Sequence, residues 1–300
     1  MNTLITGGTG FIGRQLVEWL RGGDIVTRDP AKAAAHSWPA GTKFIAWPDQ
    51  RTPLELPASY QPEAVVNLMG ESIASRRWNS EFKERLRSSR IEGTQQLVAG
   101  LLASGRLPRV MVSASAIGYY GDRGDELLTE SAAPGDDFLA RLSIDWEAAT
   151  RPLVEAGVRV VQLRIGIVLG RDGGALEKML PLFRWGLGGR LGSGRQWFPW
   201  IHERDVVELI AWTLGNEQIR GPVNAVAPGI VTNREFTREL AQQLKRPAVL
   251  PAPRFGLRLA IGEFADSLLA SSRVVPKVAI EGGYAFRFPN LPEALQDVVS

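Results

Sequence analysis

The chain has 300 residues, 44% hydrophobic and 22% charged, with a net charge of +3; a mainly disordered chain is excluded, and there is length for one large domain with a smaller companion. It has no cysteine and only two histidines, His36 and His202, which removes disulfide scaffolds, a thiol nucleophile and any thiolate or multi-histidine metal site. Lys and Arg are scattered among Asp and Glu with no basic–aromatic module, so nucleic acid is not expected as a partner.

The N-terminus, Met1-Asn2-Thr3-Leu4, lacks a basic leader, and no apolar run approaches the ~20 residues of a membrane helix; a cytoplasmic chain without membrane contact is expected. Asn2–Thr6 reads as a strand, followed by a helix over Gly13–Leu20. Strands follow at Ile25–Thr27, Phe44–Trp47 and Ala64–Leu68. A long amphipathic helix covers Ser80–Ala103. Arg109–Ser113 is a strand, Asp137–Glu155 a helix and Arg159–Ile165 a strand. Such alternation predicts an α/β fold with a Rossmann-type doubly wound parallel sheet. Beyond Gly166 the pattern changes to a Gly- and aromatic-rich stretch over 170–200. Asp205–Gly215 is helical, Pro222–Val226 strand-like, and Thr232–Leu244 and Phe255–Ser271 are helices. The expected plan is a dinucleotide-binding domain over 1–168, with 203–228 returning to it, and a smaller α+β substrate domain from 169–202 and 229–300.

The strongest local motif is Thr6-Gly7-Gly8-Thr9-Gly10-Phe11-Ile12-Gly13, between a strand and a helix. Glycines there allow a tight turn, close approach of a pyrophosphate and close helix–sheet packing, while helix N–H groups face the phosphates. Gly7, Gly10, Phe11, Ile12 and Gly13 are the candidate phosphate contacts. The second strand ends Thr27-Arg28-Asp29. Arginine there suits a 2′-phosphate, so NADP(H) is expected in preference to NAD(H), with Thr27 and Arg28 at the adenosine end.

Several longer motifs carry a resemblance: TGGTGFIG, NLMGE, Arg76-Arg77-Trp78, SRIEGT (89–94), SASAIGYYGDRGDE (113–126), GDDFL (135–139), LRIGIVLG, GSGRQWFPWIH (192–202) and GPVNAVAP (221–228). In order and spacing the chain resembles an atypical branch of the extended short-chain dehydrogenase/reductases, the NAD(P)-dependent epimerase-like proteins of YfcH type. The resemblance implies a Rossmann domain, NADP(H) and a small C-terminal domain. It places Leu68 and Met69 at the strand tip beside the cofactor. Arg90 stands where extended members carry Asn before Gly-Thr, facing the cofactor, or else braces its own helix. Arg164 falls at the ligand edge of its strand.

The family's proton chemistry uses Ser, Tyr and Lys. Ser115 matches the serine. Phe138 and Leu142 stand where Tyr and Lys belong; sliding by one gives Leu139 and Ser143. The helix holds neither Tyr nor Lys. Tyr119 and Tyr120, just after Ser115, are the candidate substitutes. His202 is a hydrogen-bonded structural residue or a substrate contact, and the aromatics and arginines of 188–200 form either a ligand platform or an interdomain core. The expected function is an NADP(H)-dependent oxidoreductase or epimerase acting on a small polar, nucleotide-sugar-like molecule. The alternative is an NADP(H)-binding sensor or interaction protein that has lost catalysis. A monomer or weak homodimer is expected, since Lys83, Arg85, Arg87 and Arg90 crowd a helix that family members use for pairing.

Overall fold

Runs such as Thr-Leu-Ile-Thr and Ala-Val-Val-Asn are buried throughout, as suits strands covered on both faces. In the computed structural model, which describes residues 1–300, seven such segments make one parallel sheet. They are β1 (Thr3–Thr6), β2 (Asp24–Thr27), β3 (Lys43–Ala46), β4 (Ala64–Asn67), β5 (Val110–Ala116), β6 (Arg159–Ile165) and β7 (Gly221–Ala225). Their order across the sheet is β7-β6-β5-β4-β1-β2-β3. The chain winds outward from β1 through β2 to β3, then returns to start the other half at β4. The crevice beyond the carboxyl ends of β1 and β4 is therefore the switch point where such sheets bind ligands.

The longer helices are α1 (Phe11–Trp19), α2 (Ser80–Arg87), α3 (Gly93–Ala103), α4 (Phe138–Ala148), α5 (Gly174–Arg184), α6 (Glu203–Gly215), α7 (Asn233–Leu244) and α8 (Leu291–Val299). Adjacent strand residues point to opposite faces. Ile5, Val66 and Val112 join Leu16, Val206 and Ile210 from α1 and α6 in one core layer. Leu4, Val65 and Met111 join Leu97 and Leu101 from α3 in the other. A separate core gathers Phe183, Phe198, Trp200, Phe236 and Leu295 from α5, α7, α8 and the segment before α6. No helix is long and apolar enough to cross a membrane.

Three expected helices differ from those observed. Ser80–Ala103 contains a π-helical stretch at Ser88–Glu92, an inserted residue that apolar spacing does not reveal. Asp137–Glu155 ends at Ala148 and resumes over Arg151–Glu155, because Pro152 has no N–H to continue the ladder. Phe255–Ser271 breaks at Gly262, whose φ is +69° and whose added Cβ would lie 3.2 Å from the Trp78 carbonyl oxygen. Helix α5 arises inside the stretch read only as Gly- and aromatic-rich. The expected charge crowding on α2 is relieved within the chain: Arg85 pairs with Glu71 at 3.1 Å and Arg87 with Asp145 at 3.2 Å, while Lys83 pairs with Glu263.

Candidate functional site

The glycine turn joins β1 to α1. Gly7 has φ +68°, and an added Cβ would lie 2.5 Å from the Leu68 carbonyl oxygen. At Gly13 it would lie 2.3 Å from the Gly7 oxygen, and at Gly8 2.9 Å from the Ile25 side chain. Those three glycines are explained by packing. Gly10 is the least constrained of the four: its Cβ would meet only the Gly7 oxygen, at 3.2 Å, a tight contact but not a clash. Gly10 N-caps α1 in an extended conformation, with no side-chain cap and no acid in the first turn. The first N–H groups of α1 and its positive dipole end thus lack a side-chain partner. Ile12 packs against the sheet core. The Phe11 ring lies against Gly170 and Gly173, where added Cβ atoms would come within 2.3 and 2.4 Å of it, tying the turn to the segment before α5.

At the tip of β2, Asp29 caps the short helix Pro30–Ala34 by accepting from the Lys32 N–H at 3.0 Å. The Asp29 N–H donates to Thr27 Oγ1 at 3.4 Å. Arg28 is exposed and makes no ion pair or side-chain hydrogen bond. At the tip of β4, buried Asn67 accepts from Thr6 Oγ1 at 2.7 Å and donates to Thr94 Oγ1 at 2.9 Å and Ser113 Oγ at 3.1 Å. It thereby fixes the ends of β1, β4 and β5 together. Met69 is buried beneath Gly93, and its N–H donates to Asn67 Oδ1 at 3.3 Å.

Arg90 braces rather than reaches out. Its Nη2 donates to the Glu71 carbonyl oxygen at 2.8 Å, and its guanidinium lies 5.2 Å from the centre of the Trp146 ring. Burial lowers its pKa to about 10, against the opposing charge of Glu71. The expectation of a cofactor contact is corrected, and the alternative of a brace on its own helix only in part: the shorter bond of Arg90 goes to Glu71 in the loop after β4 and the longer one, 3.5 Å, to the Leu86 carbonyl oxygen.

A buried polar network closes the tips of β5, β6 and β7. Ser115, only 3% exposed, donates to Glu147 Oε1 at 2.7 Å. Glu147 receives Arg164 Nε at 2.8 Å and Nη2 at 2.9 Å. Arg164 Nη1 donates to the Tyr120 hydroxyl at 3.0 Å and to the Glu130 carbonyl oxygen at 3.2 Å. Tyr120 in turn donates to Asn224 Oδ1 at 2.7 Å, and the Asn224 N–H donates to Glu130 Oε1 at 3.1 Å. Burial opposes the Arg164 charge, but the hydrogen bonds and charge of Glu147 outweigh it and push the pKa up. Burial also raises Tyr120 and Glu130 above their ordinary ranges.

Two expectations are thereby corrected. Arg164 does not reach the ligand edge, because its guanidinium is bound within the network. Tyr120 does not face the cleft, because it is fully buried and both its hydroxyl contacts are internal. Tyr119 keeps the role open: it is half-buried, its hydroxyl has no hydrogen bond, and its ring centre lies 3.4 Å from the Arg164 guanidinium carbon.

The helical face aimed at Ser115 runs back from Glu147 in steps of four through Ser143 to Leu139. Leu139 lies against Gly118, 3.0 Å from the position of an added Cβ. Leu139 and Ser143 therefore occupy the face where the family pair would stand. Leu142 lies in an apolar cluster with Trp78, Trp146 and Phe264, against which both Phe138 and Leu139 pack; the Phe138 and Trp78 rings meet edge-on at 5.5 Å.

His202 is structural. Its Nδ1 accepts from the Arg204 N–H at 3.1 Å at the start of α6, and its ring stacks on Phe288 at 3.8 Å. Burial lowers its pKa to about 4, against the pull of Asp297. Phe198 stacks on Phe236 at 4.1 Å, and Trp200 is buried with its Nε1 donating to the Gly229 oxygen at 2.9 Å. These aromatics form core, not a ligand platform. Glu147, Asn67 and Asn224 were not singled out from the sequence; Glu130, readable as a base or as part of a solvated loop, is buried and accepts from the Asn224 and Val278 N–H groups. An acid lodged between Trp146 and Ala148-Ala149 is the one local signal that marks Glu147.

The sheet, its switch point and the glycine turn define a Rossmann-type protein of the extended short-chain dehydrogenase/reductase kind. The chain belongs to the NAD dependent epimerase/dehydratase family, whose model matches residues 3–225; a domain of unknown function matches 252–298. It is 40% identical over 292 residues to the epimerase family protein MT2273 of Mycobacterium tuberculosis, covering 97% of this chain and 95% of the relative. The crystal structure of human epimerase family protein SDR39U1 (isoform 2) with NADPH is similar at a TM-score of 0.90 and 36% identity, over 99% of both chains. A nucleoside-diphosphate sugar epimerase from Corynebacterium glutamicum is similar at a TM-score of 0.76 and 33% identity, over 99% of this chain and 58% of that one.

Proposed function

We propose that this chain is an NADP(H)-dependent oxidoreductase or epimerase acting on a small polar substrate. The observation that carries the reading is Gly10: the turn glycine that internal packing constrains least, at the uncapped N-terminus of α1. The residues present fit the cofactor. Gly10 and the first N–H groups of α1 would hold the pyrophosphate, and unpaired Arg28 the 2′-phosphate, while Asp29 is engaged as a helix cap. The human relative crystallised with NADPH supports the same choice. When bound, the nicotinamide supplies the hydride acceptor or donor.

The chain's own residues handle the oxygen. Ser115 directs its only proton to Glu147, and Arg164 holds Glu147 in place with two hydrogen bonds. The lone pairs of Ser115 remain to accept from a substrate hydroxyl, so the site orients an alcohol. Tyr119, whose hydroxyl makes no internal hydrogen bond, is our candidate to exchange the proton. A second reading, a cofactor-binding sensor, is favoured by the lack of any proton donor comparable to Tyr at Leu139 and Ser143. Gly10→Val tests the cofactor site: its extended backbone accepts a side chain, and the added Cβ meets only the Gly7 oxygen at 3.2 Å, so a cooperative thermal melt is expected while NADPH-fluorescence binding is lost. Unchanged affinity in the folded variant removes the site. NADPH consumption against sugar-nucleotide and carbonyl panels then separates the readings; binding without turnover on any substrate favours the sensor.

A further inference from the structure

We infer that α7 and the chain at Arg190 form a second ligand site, for a small molecule carrying two or more phosphate charges. A cavity of about 620 Å³ opens there, within the ~300–1,000 Å³ of small-molecule sites. Arg190, Arg234, Arg238, Lys245 and Arg246 line it, together with Thr237, and no carboxylate does. None of these residues belongs to the glycine turn or to the Ser115 network.

Stability alone does not account for the arrangement. Arg234 lies in the first turn of α7, where the helix dipole repels a cation. Arg238 lies four residues on, a like-charge spacing that destabilises a helix. The nearby acids are engaged elsewhere. Glu235 closes the capping box, accepting from the Thr232 N–H at 2.7 Å, and Glu239 accepts from Gln243 at 3.1 Å. Gly194 sits at the corner between two of the arginines: an added Cβ would lie 3.1 Å from Arg190 Cδ and 3.2 Å from Arg234 Cβ.

Independent of charge, Thr237 lines this cavity but is only 4% exposed, and its Oγ1 is closed off from solvent with no hydrogen-bond partner, so a ligand reaches it when the side chain turns about χ1. A buried hydroxyl left unsatisfied is unfavourable unless a ligand completes it. Five cations call for a multiply charged anion, and the cavity with its recessed hydroxyl calls for a small one. A membrane surface or a nucleic-acid backbone would meet the exposed arginines without reaching Thr237. Phosphate oxygens satisfy both demands, with arginine as their bidentate partner.

The test is calorimetric titration of the full chain with inorganic pyrophosphate and with tripolyphosphate at ~0.15 M salt, where long-range surface attraction is screened. A saturable site separate from the glycine turn is expected: it is retained in Gly10→Val and weakened about tenfold or more in Arg234→Gln/Arg238→Gln. Both arginines are exposed, so the double variant melts no lower than the parent. Thr237→Val, matched in shape, is expected to weaken binding about three- to tenfold; a merely structural threonine leaves it unchanged. No saturable binding, full binding in the double variant, or loss in Gly10→Val overturns the proposal. So does tighter binding of a single-stranded oligonucleotide or phosphatidylserine vesicles that pyrophosphate does not displace and Thr237→Val does not alter.

Discussion

The two halves of the crevice are built from different material. On the β1 side the turn is backbone: four glycines, three fixed by contacts to Leu68, Gly7 and Ile25, and a helix end with free N–H groups. On the β5 side the site is side chain: Ser115, Glu147, Arg164 and Tyr120 bound to one another. The first leaves its polar groups open for a ligand, and the second satisfies most of them internally. A binding surface made of backbone survives any substitution that keeps the glycines. Side chains can be committed to structure instead, and α4, which holds neither Tyr nor Lys, places Glu147 in the internal network.

The largest expected effect breaks the side-chain half. Arg164→Met leaves Glu147 buried without its counter-charge and should cost about 3–5 kcal/mol of stability, the scale for stranding one partner of a buried pair. Arg164→Met/Glu147→Leu should recover most of it, because two apolar groups no longer strand a charge. Urea unfolding of the parent, Arg164→Met, Glu147→Leu and the double variant measures the coupling. Additive losses would show that the pair does not act as a unit.

His202 tests whether buried polar groups outside that network matter comparably. Its pKa is lowered from 6.5 to about 4. Between those values the unfolded chain binds the proton and the folded chain does not. Stability therefore falls as pH drops from about 6.5 to 4, by about 3 kcal/mol in total. Raised carboxyl pKa values at Glu130 and Asp205 act in the opposite sense, so the measure is the difference between proteins. His202→Asn keeps a cap acceptor for the Arg204 N–H and should flatten the slope in that window. An unchanged slope would remove His202 as its source.

Ser115→Ala sharpens the catalytic side. If Ser115 orients the substrate hydroxyl, turnover should fall about 10²-fold, in the range of positioned proton-handling groups, with NADPH affinity unchanged. A parallel fall in affinity would mean that the variant has disturbed the crevice as a whole.

Legibility in the sequence follows the same division. The glycine turn and the strand–helix alternation could be read because their signals are local: residues that need a special φ or close approach, and apolar runs of fixed length. The Glu147–Arg164–Tyr120–Asn224 chain could not, because it depends on the relative register of β5, β6, β7 and α4. Arg164 illustrates this. Its place at the end of β6 was readable, but its direction, back into the network, was fixed by a glutamate seventeen residues earlier on another element. The register of α4 was ambiguous by one residue in the sequence. Only the contacts of Glu147 and Leu139 select Leu139/Ser143 over Phe138/Leu142.

The smallest expected effect concerns the backbone half, where one side chain decides between two cofactors. Arg28 is exposed and unpaired, so truncating it disturbs no internal contact and its effect on stability should be negligible. Arg28→Ala should weaken NADP(H) by about 1.5–3 kcal/mol, the scale of a hydrogen bond to a charged group. NAD(H), which lacks the 2′-phosphate, should be nearly untouched. Asp29 provides the internal control: Asp29→Ala removes the cap of Pro30–Ala34, costing about 0.5–2 kcal/mol in stability, without selecting between the cofactors. Fluorescence titrations of both variants with NADPH and NADH separate the roles. Equal losses for both cofactors in Arg28→Ala would mean that Arg28 does not read the 2′-phosphate. A selective gain for NADPH in Asp29→Ala would instead show that the carboxylate, although engaged as a cap, still repels it.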